Sequence, residues 1–283
     1  MSSNAIFLGA AGMRLQSQKI SVLGNNIANS TSIAYKAGGM SFIDTYRGYT
    51  GQFANGNVKN VGNGVKIGNI FSDWTDGAIK ETAKPGDLAW NGDGFFHVVK
   101  AGTDYYTRAG DFSLVDYSYI DSTQAAGQYV LARPDGSLLQ GTDDAGTTTG
   151  AIVFSSFPSS WAMAANGNIT VTGTYDNDSD PLTPEIPITV ANSQIHSARF
   201  SNRDGLVRED NGLYSATIEA GMSTGVPLTK GIGSVIQGAL EMSNVDLVNE
   251  FTDLVLTQRA YSANSKTITT ASEMLQEVLN LKR

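Results

Sequence analysis

Apolar residues recur at every seventh position near the end of the chain, at Leu247, Leu254, Tyr261, Ile268 and Leu275. A sustained repeat of this period predicts a helix whose seam faces another helix. Neither proline nor glycine follows Gly238, so nothing in the sequence interrupts it. The second seam position is apolar at its two ends, Phe251 and Leu279, and polar between them, at Gln258, Ser265 and Ser272. The same spacing returns near the N-terminus as Ile6, Met13, Ile20 and Ile27, with Leu8, Leu15 and Val22 on a neighbouring stripe. Ser3 or Asn4 can cap that helix, and Asn29-Ser30-Thr31 offers its stop. Matching repeats at opposite ends of one chain predict an N–C helix pair, parallel or antiparallel.

Between the helices the period changes. From about Phe53 to Lys230, short apolar runs are punctuated by turn dipeptides such as Asn63-Gly64, Asp76-Gly77, Asp135-Gly136, Asn166-Gly167 and Asn211-Gly212. Stretches 94–99, 128–132 and 169–172 read as strands. The expected architecture is an α+β multidomain chain. Long terminal helices pair in a coiled-coil-like layer, with all-β domains inserted between them. Its parts are an N-terminal helix over 1–43, a linker over 44–70 and a main β domain from 71–145 with 194–232. A small inserted β lobe at 146–193 and a C-terminal helical part over 233–283 complete it. The linker is rich in Gly, Asn and Tyr and shows no clear periodicity.

Composition narrows the functional classes. The 283 residues carry a formal charge of −8 with only 16% charged residues, which argues against nucleic acid and acidic membranes as partners. No run approaches the roughly 18 apolar residues of a spanning helix. There is no cysteine, so no disulfide or thiolate metal site is available. The N-terminus lacks the basic and apolar regions of a cleaved signal peptide, so export would use another route. The charge is unevenly spread. The first 40 residues hold Arg14, Lys19 and Lys36 with no acid, and the chain from 241 onward holds six acids against four bases. The two ends are weakly complementary.

Candidate catalytic and metal motifs fail on their own requirements. Gly221-Met-Ser-Thr-Gly225 matches a hydrolase string, but no histidine follows it. Asp176, Asp178 and Asp180 resemble the start of a calcium loop, yet Pro181 and Pro187 stand where glycine and glutamate are needed. Gly62, Gly64 and Gly68 lack the dinucleotide spacing. His97 and His196 have neither a carboxylate nor a second histidine at ligand spacing in the sequence, and both read as structural. No enzyme and no cofactor are expected. A β-rich adhesin or carbohydrate-binding module remains an alternative, with Trp74, Trp90, Trp161 and Tyr105-Tyr106 as the aromatic candidates, although core packing is their commoner role.

Leu23-Gly24-Asn25-Asn26-Ile27-Ala28-Asn29-Ser30-Thr31, followed by Ala34-Tyr35-Lys36, resembles the N-terminal signature of the bacterial flagellar rod and hook family. Ala34 stands where that family usually has glycine. Ser243, Asn244, Gln258 and Arg259 fall in stretches similar to the family's C-terminal helix, and Gly92-Asp93-Gly94-Phe95-Phe96 to its central β motif. The resemblance implies a homo-polymer: a hollow helical tube with terminal helices lining an export channel and β domains outside. It implies rod, hook-cap and hook–filament junction proteins as neighbours, and delivery to the extracellular flagellum by its type III export machinery. The C-terminal ending is most similar to hook proteins, the universal joints of the flagellum. The chain's length instead approaches that of distal rod proteins, its drive shafts. Hook is the expected identity and distal rod the alternative.

Overall fold

A computed structural model of the chain describes residues 2–47, 61–121, 127–143, 149–158, 160–172, 174–175 and 186–281. It shows an α+β chain in two compact units. One comprises Met1–Ser30, Lys36–Asp73 and Val245–Arg283, and the other Thr31–Tyr35 and Trp74–Asn244. The acidic run at 176–180 lies outside the described residues.

The first unit holds α1 (Ser2–Ala28), α2 (Leu247–Leu281) and a hairpin of β1 (Gly38–Arg47) with β2 (Val61–Ser72). The helix α1 stops at Asn29, whose Nδ2 donates to the Asn25 carbonyl at 2.9 Å. Asp246 caps α2, its Oδ1 accepting from the Val248 N–H at 2.9 Å. An isolated two-stranded hairpin is marginal in water. Here Gly38 lies against Val22 and Asn26, and Gly64 against Leu8, so α1 supplies the missing layer. The hairpin occupies both ends of the stretch read as a linker. Its register shifts at Ser41/Phe42 and Asp44/Tyr46. Those irregularities break the period-two alternation that would have marked strands in the sequence.

The second unit is antiparallel β structure. It begins with β3 (Ile79–Glu81), β4 (Leu88–Asn91), β5 (Phe95–Lys100), β6 (Thr103–Thr107), β7 (Ser113–Asp116), β8 (Tyr129–Ala132) and β9 (Leu138–Thr142). β5 is central, pairing with β6 on one side and with β9 and Ser197–Phe200 on the other. Asp135-Gly136 turns β8 into β9, Asn166-Gly167 joins Ser160–Met163 to Ile169–Thr172, and Asn211-Gly212 joins Leu206–Arg208 to Leu213–Ala216. Asn63-Gly64 is no turn and lies inside β2. Within the stretch read as a small lobe, Thr149–Ala151 pairs with β9 and Val153–Phe154 with β8. The C-terminal helical part expected from 233 starts later. Ser234–Gln237 pairs with β4 and Ala239–Glu241 with β3 before the helix begins.

The main core gathers Leu88, Trp90, Phe96, Leu131, Leu139, Phe154, Trp161 and Ile195. A second cluster joins Phe95, Tyr106, Phe200 and Tyr214, with Trp74 packed on it at 5.2 Å from Tyr214. The aromatic residues considered for a binding platform are thus mostly core. Beside them sits a buried ion pair, Arg108 Nε to Glu241 Oε2 at 3.3 Å. Arg108 also pairs with Asp76 and donates to the carbonyls of Gly92 (2.7 Å) and Gly94 (2.9 Å). Glu241 Oε1 accepts from the Gly77 N–H at 3.2 Å. One guanidinium therefore ties the 76–77 turn, the 92–94 turn and the last strand together.

Removing one member of a buried pair strands the other. Glu241→Leu should lower stability by about 3–5 kcal/mol in urea unfolding, and adding Arg108→Met should recover part of it. A loss below about 1 kcal/mol, the range of an exposed pair, would remove Glu241 from this role.

Candidate functional site

The two terminal helices make up the candidate site. The helices run antiparallel. Along α1, Gly9, Gly12, Lys19 and Asn26 meet Ile268, Asn264, Asp253 and Glu250 in that order. A Cβ on Gly9 would lie 2.7 Å from Ile268 Cγ1, and one on Gly12 2.7 Å from Asn264 Nδ2. The glycines let the two backbones approach closely. Lys19 Nζ and Asp253 Oδ2 are 3.2 Å apart and partly solvated, so their pair adds little stability.

Asn26 is the polar centre of this unit and is 1% exposed. Its Nδ2 donates to the Gly38 carbonyl at 2.8 Å and to Glu250 Oε1 at 3.0 Å, while its Oδ1 accepts from the Gly38 N–H at 2.8 Å. One amide thus fixes α1, the start of β1 and the first turn of α2. Burial pushes the Glu250 carboxyl above the usual carboxylate range, and the hydrogen bond from Asn26 works against that shift.

The seven-residue repeats straddle the edge of the helix pair. Ile6, Met13, Ile20 and Ile27 are half-buried, while Leu15 and Leu23, on the adjacent stripe, are buried. On α2 the buried positions are Thr257 and Ala271. Leu254, Ile268 and Leu275 are half-buried; Leu247, Phe251, Tyr261 and Leu279 are exposed. Of the polar seam residues, Gln258 and Ser265 are exposed and Ser272 half-buried. Val248 and Val255 extend the exposed apolar face beside Phe251. Among the motif residues, Asn25, Thr31 and Arg259 are exposed, Asn29, Ser243 and Asn244 half-buried, and Lys36 fully buried.

The segment 31–35 belongs to the β unit. Ala34 has φ 53°, the left-handed region that favours glycine, and its N–H donates to the Glu241 carbonyl at 2.8 Å. Tyr35 lies under Arg208, 4.3 Å from guanidinium carbon to ring centre, and its carbonyl accepts from the Asn244 N–H. The strain at Ala34 accounts for the glycine usual at that position of the motif.

The two histidines, which lack ligand spacing in the sequence, meet in space. His97 Nε2 is 2.9 Å from Asp104 Oδ1, and His97 Nδ1 is 2.9 Å from His196 Nδ1. The first partner lies across the β5–β6 hairpin and could be found from its register, whereas 99 residues separate the two histidines. Among the described residues, no three His, Cys, Asp or Glu side chains gather as a metal site, and no helix is long and apolar enough to cross a membrane. Within the Gly221–Gly225 string, Met222–Gly225 is a strand paired with Ser197–Phe200 rather than a nucleophile turn.

Comparison with known proteins bears on this geometry. The flagellar basal-body rod protein FlgG of Bacillus subtilis is 31% identical over 292 positions, spanning 99% of each chain. The chain belongs to the flagellar rod and hook family. Residues 236–281, covering the strand Ala239–Glu241 and all of α2, match the family described as flagellar basal body rod FlgEFG protein C-terminal. The flagellar hook protein FlgE of Caulobacter vibrioides is 49% identical over 92 residues, 32% of this chain and 16% of that one. The hook protein FlgE of Escherichia coli is 23% identical over 414 positions, covering 96% and 98%. The whole-length likeness therefore favours a rod protein over the hook protein expected from the C-terminal ending.

Two substitutions test the rod–hook motif as this chain builds it. Asn26→Leu leaves the Gly38 N–H and carbonyl without their side-chain partner and should cost about 2–4 kcal/mol in thermal unfolding. An unchanged melting temperature would contradict it. Ala34→Gly should gain about 0.5–1 kcal/mol by relieving the left-handed backbone, and a loss of stability would show that Ala34 is not strained.

Proposed function

We propose that this chain is a distal rod subunit of the bacterial flagellum, polymerising into a straight, hollow helical shaft that transmits motor torque. The observation that carries this reading is the full-length collinearity with a rod protein, 99% of both chains. Alignment to the Escherichia coli hook protein spreads over 414 positions for a chain of 283, so that hook protein carries extra length that this one lacks. The role is structural and needs no catalytic group.

The exposed face of α2 supports an assembly role. Leu247, Val248, Phe251 and Val255 project large apolar side chains that α1 does not cover. A surface of this kind suits a heterologous contact, which extends into a filament when its rotation does not close. In the proposed shaft the terminal helices of neighbouring subunits pack in a coiled-coil-like inner layer through the repeats Ile6–Ile27 and Leu247–Leu279. Gln258, Ser265 and Ser272 face either the aqueous channel or a sliding contact. Isolated subunits would hold α2 only partly formed, and neighbours would complete it. Export through the flagellar type III apparatus, and contacts with other rod, hook-cap and junction proteins, belong to the same proposal.

A hook subunit is the second reading, favoured by the 49% identity over 92 residues with the Caulobacter vibrioides hook protein. Electron microscopy of polymers grown from the purified chain separates the two. Straight, stiff tubes are expected; curved, bendable tubes would overturn the rod reading in favour of hook, and failure to form tubes would overturn both. Phe251→Asp with Val255→Asp should abolish polymerisation while leaving the β unit's unfolding transition in place. Circular dichroism should show helicity rising on assembly, and a constant signal would refute ordering by neighbours.

A further inference from the structure

The histidine pair of the β unit is used by nothing above, and its chemistry is restrictive. His97 stands on β5 and His196 at the point where the chain stops pairing with β9, at Gln194–Ile195, and starts pairing with β5, at Ser197–Ala198. The His196 N–H donates to the Gln140 carbonyl at 3.0 Å, and its own carbonyl accepts from the His97 N–H at 3.4 Å. The residue is therefore the crossing point between two strands of the main sheet. Two imidazole nitrogens at 2.9 Å form a hydrogen bond only when one proton lies between them. Asp104 fixes which ring supplies it. With its carboxylate accepting from His97 Nε2–H, His97 Nδ1 is left bare and His196 must donate from Nδ1.

Counting protons gives the behaviour in acid. One added proton is accommodated. It makes His97 an imidazolium beside the Asp104 carboxylate, His97 Nδ1–H becomes the donor, and His196 moves its own proton from Nδ1 to Nε2. A second added proton has no place, because two N–H groups would then face each other across the same 2.9 Å. We propose that Asp104, His97 and His196 form a proton-counting latch that pins the strand crossing at 194–198 to β5 and releases it when both rings are protonated.

The surroundings agree with this. From β6, Tyr106 stacks on His97 at 5.3 Å and Asp104 holds its outer nitrogen. β9 contributes only the neutral Gln140, and Lys230, bonded to the Thr224 carbonyl, adds positive charge near His196. Burial, reinforced by His97 and Lys230 and opposed by Asp104, pushes the His196 imidazole from its ordinary 6.5 down to about 4. A lowered histidine value means that the unfolded chain takes up this proton first as acid is added. Stability from the latch is thus complete above about pH 6.5 and declines as pH falls through about 4.

The test is made on the full chain in solution. Long-range proton–nitrogen spectra of the imidazoles at pH 7.5 should show His196 neutral with its proton on Nδ1; a proton on Nε2 would overturn the tautomer assignment and with it the latch. Hydrogen exchange, corrected for intrinsic rate, should show protection of the 195–198 amides falling on the order of 10- to 100-fold between pH 7 and 4. The 130–132 amides of β8 should hold. His196→Gln, which cannot be protonated, should flatten that pH dependence. Equal loss of protection in the variant, or no loss in the parent, would overturn the proposal. Should the variant fail to fold, the parent's spectra and exchange decide the matter alone.

Discussion

The hydrogen bonds that Asn26 makes to Gly38 and Glu250 are the constraint on which the helical unit depends. A buried amide must satisfy both its donor and its acceptor, and here one side chain on α1 does so against two other segments, the start of β1 and the first turn of α2. It closes the chain back from α1 to β1 and brings the first turn of α2, more than 200 residues later, to the same point. The rest of the helix pair offers little to replace it. Gly9 and Gly12 face Ile268 and Asn264, and the buried positions on α2 are Thr257 and Ala271. Such an interface permits close backbone approach and gives limited apolar burial. Geometry is therefore set by polar groups of defined length, and the apolar side chains are left for other surfaces.

The β unit follows a different logic. Its core is dense with aromatic and branched residues, and the buried ion pair of Arg108 with Glu241 serves as a connector between turns that the strands do not link. The strained Ala34 donates to the carbonyl of that same Glu241. A residue held at positive φ persists only where its surroundings over-determine it. Here the surroundings are the Glu241 carbonyl on one side and the stacked pair of Tyr35 with Arg208 on the other.

Much of this was legible in the residues. Unbroken seven-residue spacing located both helices, and the dipeptides Asp135-Gly136, Asn166-Gly167 and Asn211-Gly212 marked true hairpins because positive φ there needs glycine or asparagine. What escaped has physical causes. The β1–β2 hairpin has two register shifts, so its side chains do not alternate over its length. The buried seam of the helix pair is offset from the strongest apolar repeat, because Gly9, Gly12, Thr257 and Ala271 carry too little side chain to register as hydrophobic. The histidine pair joins residues 99 apart, and a single sequence contains no signal for such a contact. The likeness of the C-terminal ending to hook proteins is local, and full-length comparison outweighs it.

That misplacement of the seam bears on what the apolar repeat is for. Had Leu247, Phe251 and Tyr261 been needed inside the helix pair, selection for packing would have turned them toward α1. Instead α1 is met by Ile268 together with small and polar residues, and Leu247, Phe251 and Tyr261 remain exposed on a helix about 52 Å long. α1, at about 40 Å, leaves the final turns of α2 without a cover, and Val278, Leu279 and Leu281 are all exposed there. A helix this long, with limited burial in its own chain and apolar residues on the outside, is economical only if other chains bury them. In the polymer proposed for this chain, each subunit would contribute a narrow polar-set pair and receive its hydrophobic burial from its neighbours. Subunit folding and shaft assembly would then be two stages of the same process.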